Sequence, residues 1–214
     1  MKRSVYLLCV VIFYLFLPHK DVLAQNPRTW GFRIGGHSNE LHFKLDWSAL
    51  EVRHGMNIAL FNQFKSSSPF SVQLELEYAR KGYIWREMTR ANTSLDYLSI
   101  PVLCLVSSPQ SASPSVFLLL GPRADFVIGR NPGEWVEEYG TRQENTISQS
   151  LTDAGLSISI GAGIQFKNAK NQGIRGEFRY SFGITDILPT EFTWNRPVTM
   201  RSFELSIALF KQAH

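Results

Sequence analysis

The sequence predicts an all-β fold, an eight-stranded antiparallel up-and-down barrel. Three observations predict it: apolar residues recur at every second position in successive runs, turn-forming segments separate the runs, and no run has a helical period. The clearest case is residues 153–185, where two alternating runs flank the polar hinge 167–172. From Leu156 to Phe166 the apolar residues alternate with small or polar ones. Period two over this length indicates strands with two chemically different faces.

The first 24 residues have the layout of a secretory signal peptide. A basic start precedes an apolar run of 13 residues from Val5 to Leu17, and the small residue Ala24 stands before Gln25. A helical membrane anchor needs about 20 apolar residues, so cleavage is the favoured interpretation. Residues 25–214 then form a single barrel domain. Cys104 is the one cysteine left after cleavage, which excludes an intrachain disulfide framework and a Cys-based zinc site.

The alternation assigns each strand in turn. The eight predicted strands cover residues 30–35, 51–64, 70–85, 94–106, 115–129, 153–166, 173–185 and 200–211. Residues 37–50 are predicted to be a loop, although Leu41, Phe43 and Leu45 could extend the first hairpin. Pro101 removes a hydrogen-bond donor from the fourth strand, which a sheet tolerates if a bulge falls there.

Alternation alone leaves two barrels open: a soluble one with an apolar interior and a membrane one with an apolar exterior. The odd-numbered connections between strands average longer than the even-numbered ones, as in outer-membrane barrels with short periplasmic turns. Aromatic residues also gather near the strand ends and predict two interfacial girdles. One girdle would contain Trp30, Phe64, Phe70, Phe117, Phe166 and Phe210, and the other Tyr83, Trp85, Phe126 and Phe182.

The polar faces of the strands carry charges of both signs. An eight-stranded barrel is just wide enough for side chains to fill it, and a buried charge needs a partner. We therefore predict a paired, structural charge network in the lumen, whereas in a soluble barrel the same residues would be a solvated surface. The predicted network consists of Arg33, Glu75, Glu77, Arg123, Asp125, Glu177 and Arg179.

Several segments resemble the PorT-like outer-membrane β-barrel family of Bacteroidota. They are Trp30–Gly35, Glu75–Gly82, Leu95–Leu103 and Gly176–Gly183. The resemblance implies a barrel in the bacterial outer membrane and accounts for Pro101. Because some members of the family serve type IX protein secretion and gliding, it also implies an accessory or anchor role in such a cell-envelope assembly.

Catalysis and cofactor binding are not expected. His37, His42, Asp46 and His54 fall near the first long loop, but a general base needs an oriented partner and a nucleophile. The three histidines lack a tight metal-binding spacing. The acidic group Glu134, Glu137 and Glu138 lacks the regular ligand spacing of a calcium loop. We predict a non-enzymatic protein with no cofactor and no metal.

The expected partners are outer-membrane lipid and other envelope or secretion-system proteins, bound by a monomeric barrel. No basic stripe suggests nucleic acid. Aromatic residues in loops are candidates for partner contact, here Trp135, Tyr139 and Trp194. Two alternative functions stay open: a small outer-membrane pore and a soluble periplasmic barrel that binds an apolar ligand.

Overall fold

The computed structural model describes residues 28–43, 50–67, 69–85, 91–108, 114–131, 134–136, 142–144, 152–187 and 198–213, so the predicted signal peptide lies outside the described residues. Eight long strands in these ranges are labelled β1 to β8 in chain order. They are Arg28–Phe43, Arg53–Ser67, Phe70–Trp85, Ala91–Ser107, Ser115–Asn131, Ala154–Lys167, Gln172–Gly183 and Val198–Ala213. Three short strands lie in the connections: Leu50–Glu51, Glu134–Val136 and Arg142–Glu144.

Each long strand pairs antiparallel with its neighbours in the chain, and β8 pairs with β1. The closing pair is in register along its whole length, from Arg28↔Ala213 to Phe43↔Val198. Closure removes the sheet edges that would otherwise present unpaired backbone groups. The structure thus confirms the predicted eight-stranded antiparallel up-and-down barrel. Within the described ranges, no helix is long and apolar enough to cross a membrane.

The connections divide between the two ends of the barrel. One end carries the start of β1, the end of β8 and the connections 68–69, 108–114 and 168–171. The other end carries the connections 44–52, 86–90, 132–153 and 184–197. The third connection is shorter than predicted because β4 begins at Ala91, three residues before its predicted start. By the usual architecture of outer-membrane barrels, the end with the short turns and both chain ends faces the periplasm.

Strand β1 is longer than the sequence indicated and continues to Phe43 through residues predicted to be a loop. Its inward side here carries His37, Asn39 and Leu41, all of which are buried. Leu41 packs with Leu95, Tyr97 and Val198 at the external end of the lumen. Packing of Leu41 therefore stabilises this part of β1. The sequence did not show it as a strand, because its residues do not alternate between strongly apolar and polar ones.

Apolar side chains cover the outside of the barrel and charged ones fill its inside. Leu118 and Leu205 are 64% and 69% exposed, whereas Arg33, Glu75 and Arg179 are at most 1% exposed. A soluble protein would have the opposite arrangement. An apolar exterior of this kind suits contact with the hydrocarbon region of a bilayer.

Two members of the predicted periplasmic girdle face inward instead. Phe117 and Phe210 are buried in the lumen, while Trp30, Phe70 and Phe166 are exposed on the outside, as a girdle requires. The reason is parity: Val116 and Leu118 face out on β5, and Leu209 and Lys211 face out on β8. The aromatic residue between each outward pair must therefore point into the barrel. At the other rim, the side chains of Tyr83 and Trp85 lie outside the described residues.

Pro101 does not create a bulge. The pairing of β3 with β4 skips from Leu74↔Val102 to Glu77↔Ser99 without a change of register. The irregularity in β4 falls instead between Asp96 and Tyr97, where β4 pairs with β5. The sheet accommodates the missing N–H group of Pro101 by leaving out the strand pairs beside it. The register between β3 and β4 is the same on both sides of this gap.

Candidate functional site

The lumen holds the densest group of charged side chains in the described part of the chain. Five cationic and five anionic side chains face inward, supplied by β1, β3, β5, β7 and β8. They are Arg33, Lys81, Arg123, Arg175 and Arg179 with Glu75, Glu77, Asp125, Glu177 and Glu204. The structure brings all seven residues of the predicted network together, joins to them Arg175, which was also expected to point inward, and adds Lys81 and Glu204. Within this network the five positive charges balance the five negative ones.

The centre of the network joins opposite walls of the barrel. Arg179 Nη1 donates to Glu75 Oε2 at 2.8 Å and Nη2 donates to Glu75 Oε1 at 2.6 Å, which makes a bidentate pair. Arg33 Nη2 donates to the same Glu75 carboxylate at 3.0 Å and to Glu77 Oε2 at 2.5 Å. Glu204 also forms an ion pair with Arg33. Strands β3 and β7 are four places apart in either direction around the barrel, so the contact between Arg179 and Glu75 spans its diameter.

Toward the external end, Arg123 connects two acidic residues. Its Nη2 donates to Glu77 Oε1 at 2.6 Å and its Nε donates to Asp125 Oδ1 at 2.7 Å. The Asp125 carboxylate also accepts hydrogen bonds from two hydroxyl groups, Ser99 Oγ at 2.5 Å and Ser157 Oγ at 2.8 Å. Both oxygens of the Asp125 carboxylate thus accept hydrogen bonds, which is what a stable buried ion pair requires.

Toward the periplasmic end, aromatic rings surround Arg175. The guanidinium carbon lies 5.1, 4.9 and 5.5 Å from the ring centroids of Phe61, Phe117 and Phe210. Its Nη atoms donate to the side-chain oxygens of Gln73 and Gln63, each at 2.8 Å. This buried cation is stabilised by the negative faces of the rings, by the amide oxygens and by its ion pair with Glu177.

Each of the three rings covers a glycine on the neighbouring strand. Phe61, Phe117 and Phe210 lie directly opposite Gly31, Gly163 and Gly173 in the strand registers. A Cβ atom on any of these glycines would clash with the opposing ring. The glycines therefore provide the space in which the rings lie, and the rings cover backbone that the glycines leave bare.

The two ends of this interior differ: the external end is apolar and the periplasmic end is polar. At the external end, Leu41, Leu95, Tyr97 and Val198 form a buried cluster. Beneath it, beside Lys81, lies a cavity of about 40 Å³, which is the scale of one or two water molecules. The periplasmic mouth is wider, about 270 Å³, and Arg175 lines its wall together with Gln63, Gln165, Lys167 and Gln212.

The model of the outer membrane protein beta-barrel domain family matches residues 23–188. The chain belongs to this family. No curated protein matches the sequence. Two solved structures show the same fold. OprG from Pseudomonas aeruginosa superimposes with a TM-score of 0.54 at 8% identity, covering 88% of this chain and 95% of that one. Neisserial surface protein A superimposes with a TM-score of 0.51 at 11% identity, covering 85% of this chain and 96% of that one.

Family membership, with the apolar exterior, places the barrel in the outer membrane. The soluble periplasmic barrel is thereby ruled out as an alternative. Identities this low show the fold alone and transfer no activity. The function of this member of the barrel domain family must therefore be inferred from the residues of its own lumen, rims and connections.

His37 and His54 lie on adjacent strands, but their side chains lie on opposite faces of the barrel wall. His37 is buried, with Nε2 3.2 Å from the Met56 carbonyl oxygen and Nδ1 2.6 Å from Asn39 Nδ2. His54 Nδ1 lies 2.8 Å from Ser38 Oγ on an exposed surface. Nowhere in the described ranges do three or more His, Cys, Asp or Glu side chains come together as a metal site would need.

The other predicted candidates fall on the long connections. Asp46, Glu137 and Glu138 lie outside the described residues, as do Tyr139 and Trp194. Glu134 and Trp135 belong to the short strand Glu134–Val136, whose partner is Arg142–Glu144. Their side chains are not among those described. The backbone nevertheless shows that part of the longest connection forms a hairpin.

Proposed function

We propose that this protein is a closed, non-enzymatic outer-membrane barrel that acts as an anchor or accessory component of a cell-envelope assembly. The observation that carries the proposal is the filled lumen. The bidentate pair between Arg179 and Glu75 crosses the full width of the barrel and both residues are buried. Wide porins instead keep a water-filled interior. Interaction with partners is then assigned to the surfaces outside the lumen.

The most specific form of the proposal is a role in type IX protein secretion. It rests on the resemblance of segments such as Glu75–Gly82 and Gly176–Gly183 to PorT-like barrels. We assign partner contact to the external connections 132–153 and 184–197, which are the two longest between the eight strands. We assign Trp135, Tyr139 and Trp194 as contact residues, since aromatic side chains dominate the energetics of protein interfaces. The barrel itself acts as a monomer in this scheme.

Deletion of the gene tests the secretion role. We expect export of type IX cargo to stop and to return when the wild-type gene is restored. A triple variant with alanine at Trp135, Tyr139 and Trp194 should reach the outer membrane at the normal level and fail to restore export. As a matched control, alanine at the lipid-facing residues Leu118, Leu205 and Ile207 should restore it. Normal export in the deletion strain would exclude the role.

A closed lumen separates this proposal from the small-pore alternative. We expect the purified protein to give no stable conductance steps in a planar bilayer. Stable steps in the wild-type protein would contradict the closed barrel. A variant with Glu75 replaced by Ala serves as a comparison, because it removes the carboxylate that joins Arg33 to Arg179.

A further inference from the structure

The periplasmic rim is cationic along one side. Arg28 begins β1, Lys211 lies near the end of β8, Lys167 ends β6, and Lys170 lies in the turn between β6 and β7. These elements are adjacent, because Lys211 pairs with Trp30 on one side and with Gln172 on the other. The segments 25–35, 160–176 and 205–214 contain no Asp or Glu. This side of the rim therefore has a net positive charge with no acidic side chain from its own segments.

A lipid-facing groove begins directly at this rim. It has a volume of about 460 Å³ and is lined by Trp30 and Phe32 of β1, Leu209 of β8 and Ile174 of β7. The side chains of these residues are 43 to 59% exposed on the outside of the barrel. Lys211, Asn168 and Gln172 line the polar end of the groove. An apolar channel that ends at an exposed ammonium group has the chemistry of a lipid tail followed by an anionic headgroup.

A second lipid-facing groove provides an internal comparison. It is larger, about 1160 Å³, and lies over the small residues Ala162 and Gly176. Its polar end is formed by Ser107 and Ser108 beside Pro69, and no cationic side chain lines it. Acyl chains of any lipid fit such a surface equally well. The groove beside Lys211 differs from it by having charge where the headgroup would lie.

We propose that the groove beside Lys211 binds an anionic phospholipid of the periplasmic leaflet. One acyl chain lies against Trp30, Leu209 and Ile174. The phosphate is held by the Lys211 ammonium group, with the turn residue Lys170 close by in the same rim. Lysine acts as a compact point charge toward phosphate, and basic side chains at a membrane surface favour anionic lipids.

Arg28 contributes less to this site than Lys211. Its guanidinium carbon lies 5.4 Å from the centroid of the Phe64 ring, so part of its charge is already directed toward that ring. Lys167 contributes nothing to the groove, because its Nζ donates to Gln212 Oε1 at 2.6 Å at the mouth of the lumen. Lys167 and Lys211 thus have equal charge, share a rim and face opposite sides of the wall.

Quenching of Trp30 fluorescence tests the site directly. The other tryptophans, Trp47, Trp85, Trp135 and Trp194, belong to or border the external connections and are replaced by Phe. The single-tryptophan protein is reconstituted in phosphatidylcholine vesicles with increasing amounts of acyl-brominated phosphatidylglycerol or acyl-brominated phosphatidylcholine. We expect phosphatidylglycerol to reach half-maximal quenching at a mole fraction about fivefold lower, the effect of one lysine at an anionic surface.

Two charge variants decide what causes the preference. Lys211→Gln is expected to make the two brominated lipids quench equally, whereas Lys167→Gln is expected to keep the fivefold preference. Equal quenching by both lipids in the parent protein would overturn the proposal. The cationic rim would then be a binding surface for an acidic macromolecule. Equal loss of preference in both variants would also overturn it, because general surface charge would then be the cause. Retention of outer-membrane fold in each variant is checked by its resistance to unfolding in detergent at room temperature.

Discussion

The lumen and the lipid-facing wall are built from alternate residues of the same strands, yet they obey different rules. On β7, Arg175, Glu177 and Arg179 are buried inside the barrel, while Ile174 and Phe178 are about half exposed outside. Each inward charge has particular partners fixed by distance and direction. The outward residues of the apolar band need only to be apolar. A position in the lumen therefore requires one particular side chain, whereas a position in the apolar band of the wall accepts any apolar side chain.

Breaking an ion pair in the lumen is expected to have the largest effect. Glu75→Ala leaves the buried guanidinium groups of Arg33 and Arg179 without their shared carboxylate, which we expect to lower the free energy of unfolding by about 3–5 kcal/mol. Its neighbour Leu76 points outward, and Leu76→Ala is the matched control with a much smaller loss. Urea unfolding in lipid vesicles measures both. Equal losses would show that the lumen is no more specific than the wall.

Placing a charge on the wall tests the other half of the comparison. Leu205 lies near the middle of the outward apolar band and is well exposed. We expect Leu205→Arg to lower the free energy of unfolding by about 2–4 kcal/mol, since a guanidinium group near the bilayer midplane is poorly solvated. Leu205→Ala keeps the position apolar and should cost far less. If both variants unfolded at the same urea concentration, this position would not be in contact with lipid hydrocarbon.

Replacing a glycine on each face of the wall is expected to give a smaller difference in unfolding free energy, but the two substitutions are the same. Gly163→Ala would drive a methyl group into the Phe117 ring, and overpacking of this kind costs about 1–3 kcal/mol. Gly176 faces outward, where an added Cβ would meet only Ile164 at 3.9 Å. We expect Gly176→Ala to leave the unfolding midpoint almost unchanged. The same midpoint shift for both alanine variants would contradict the close packing of ring over glycine.

An ion pair on the outside of the barrel is expected to have the smallest effect. Arg80 Nε donates to Asp96 Oδ1 at 2.7 Å, but Arg80 is exposed to solvent and the pair is screened. We expect Asp96→Asn to leave the unfolding midpoint within experimental error. Asp125→Asn, the corresponding change in the lumen, should lower it clearly because Asp125 accepts from Arg123, Ser99 and Ser157. A larger shift for Asp96→Asn would reverse the comparison.

Much of the fold could be predicted from the sequence because strand periodicity is local information. The alternation in residues 153–185 is enough to identify two strands, their turn and the two faces. Periodicity also assigned Arg33, Glu75 and Arg179 to one face. It could not say which carboxylate each guanidinium group contacts. That choice depends on the stagger of strands around the closed barrel, which no single strand encodes.

The errors also have physical causes. Phe117 lies in the continuous apolar run from Val116 to Leu120, where alternation disappears and the inward residue cannot be recognised. Phe210 could have been assigned correctly, because Leu205, Ile207 and Leu209 already define the outward parity of β8. The same parity places Glu204 in the lumen. The arrangement of rings around Arg175 is a property of several strands together, and was therefore beyond prediction from any one of them.

The contact between Arg179 and Glu75 has a mechanical consequence. Because it joins strands on opposite sides of the barrel, it fixes the distance between the two walls. A ring of eight strands held only by backbone hydrogen bonds could flatten into an ellipse under lateral pressure from the lipid. With a bidentate brace across the diameter, flattening requires the compression or rupture of a buried ion pair. The cross-section should therefore stay round when the surrounding bilayer changes in thickness or tension.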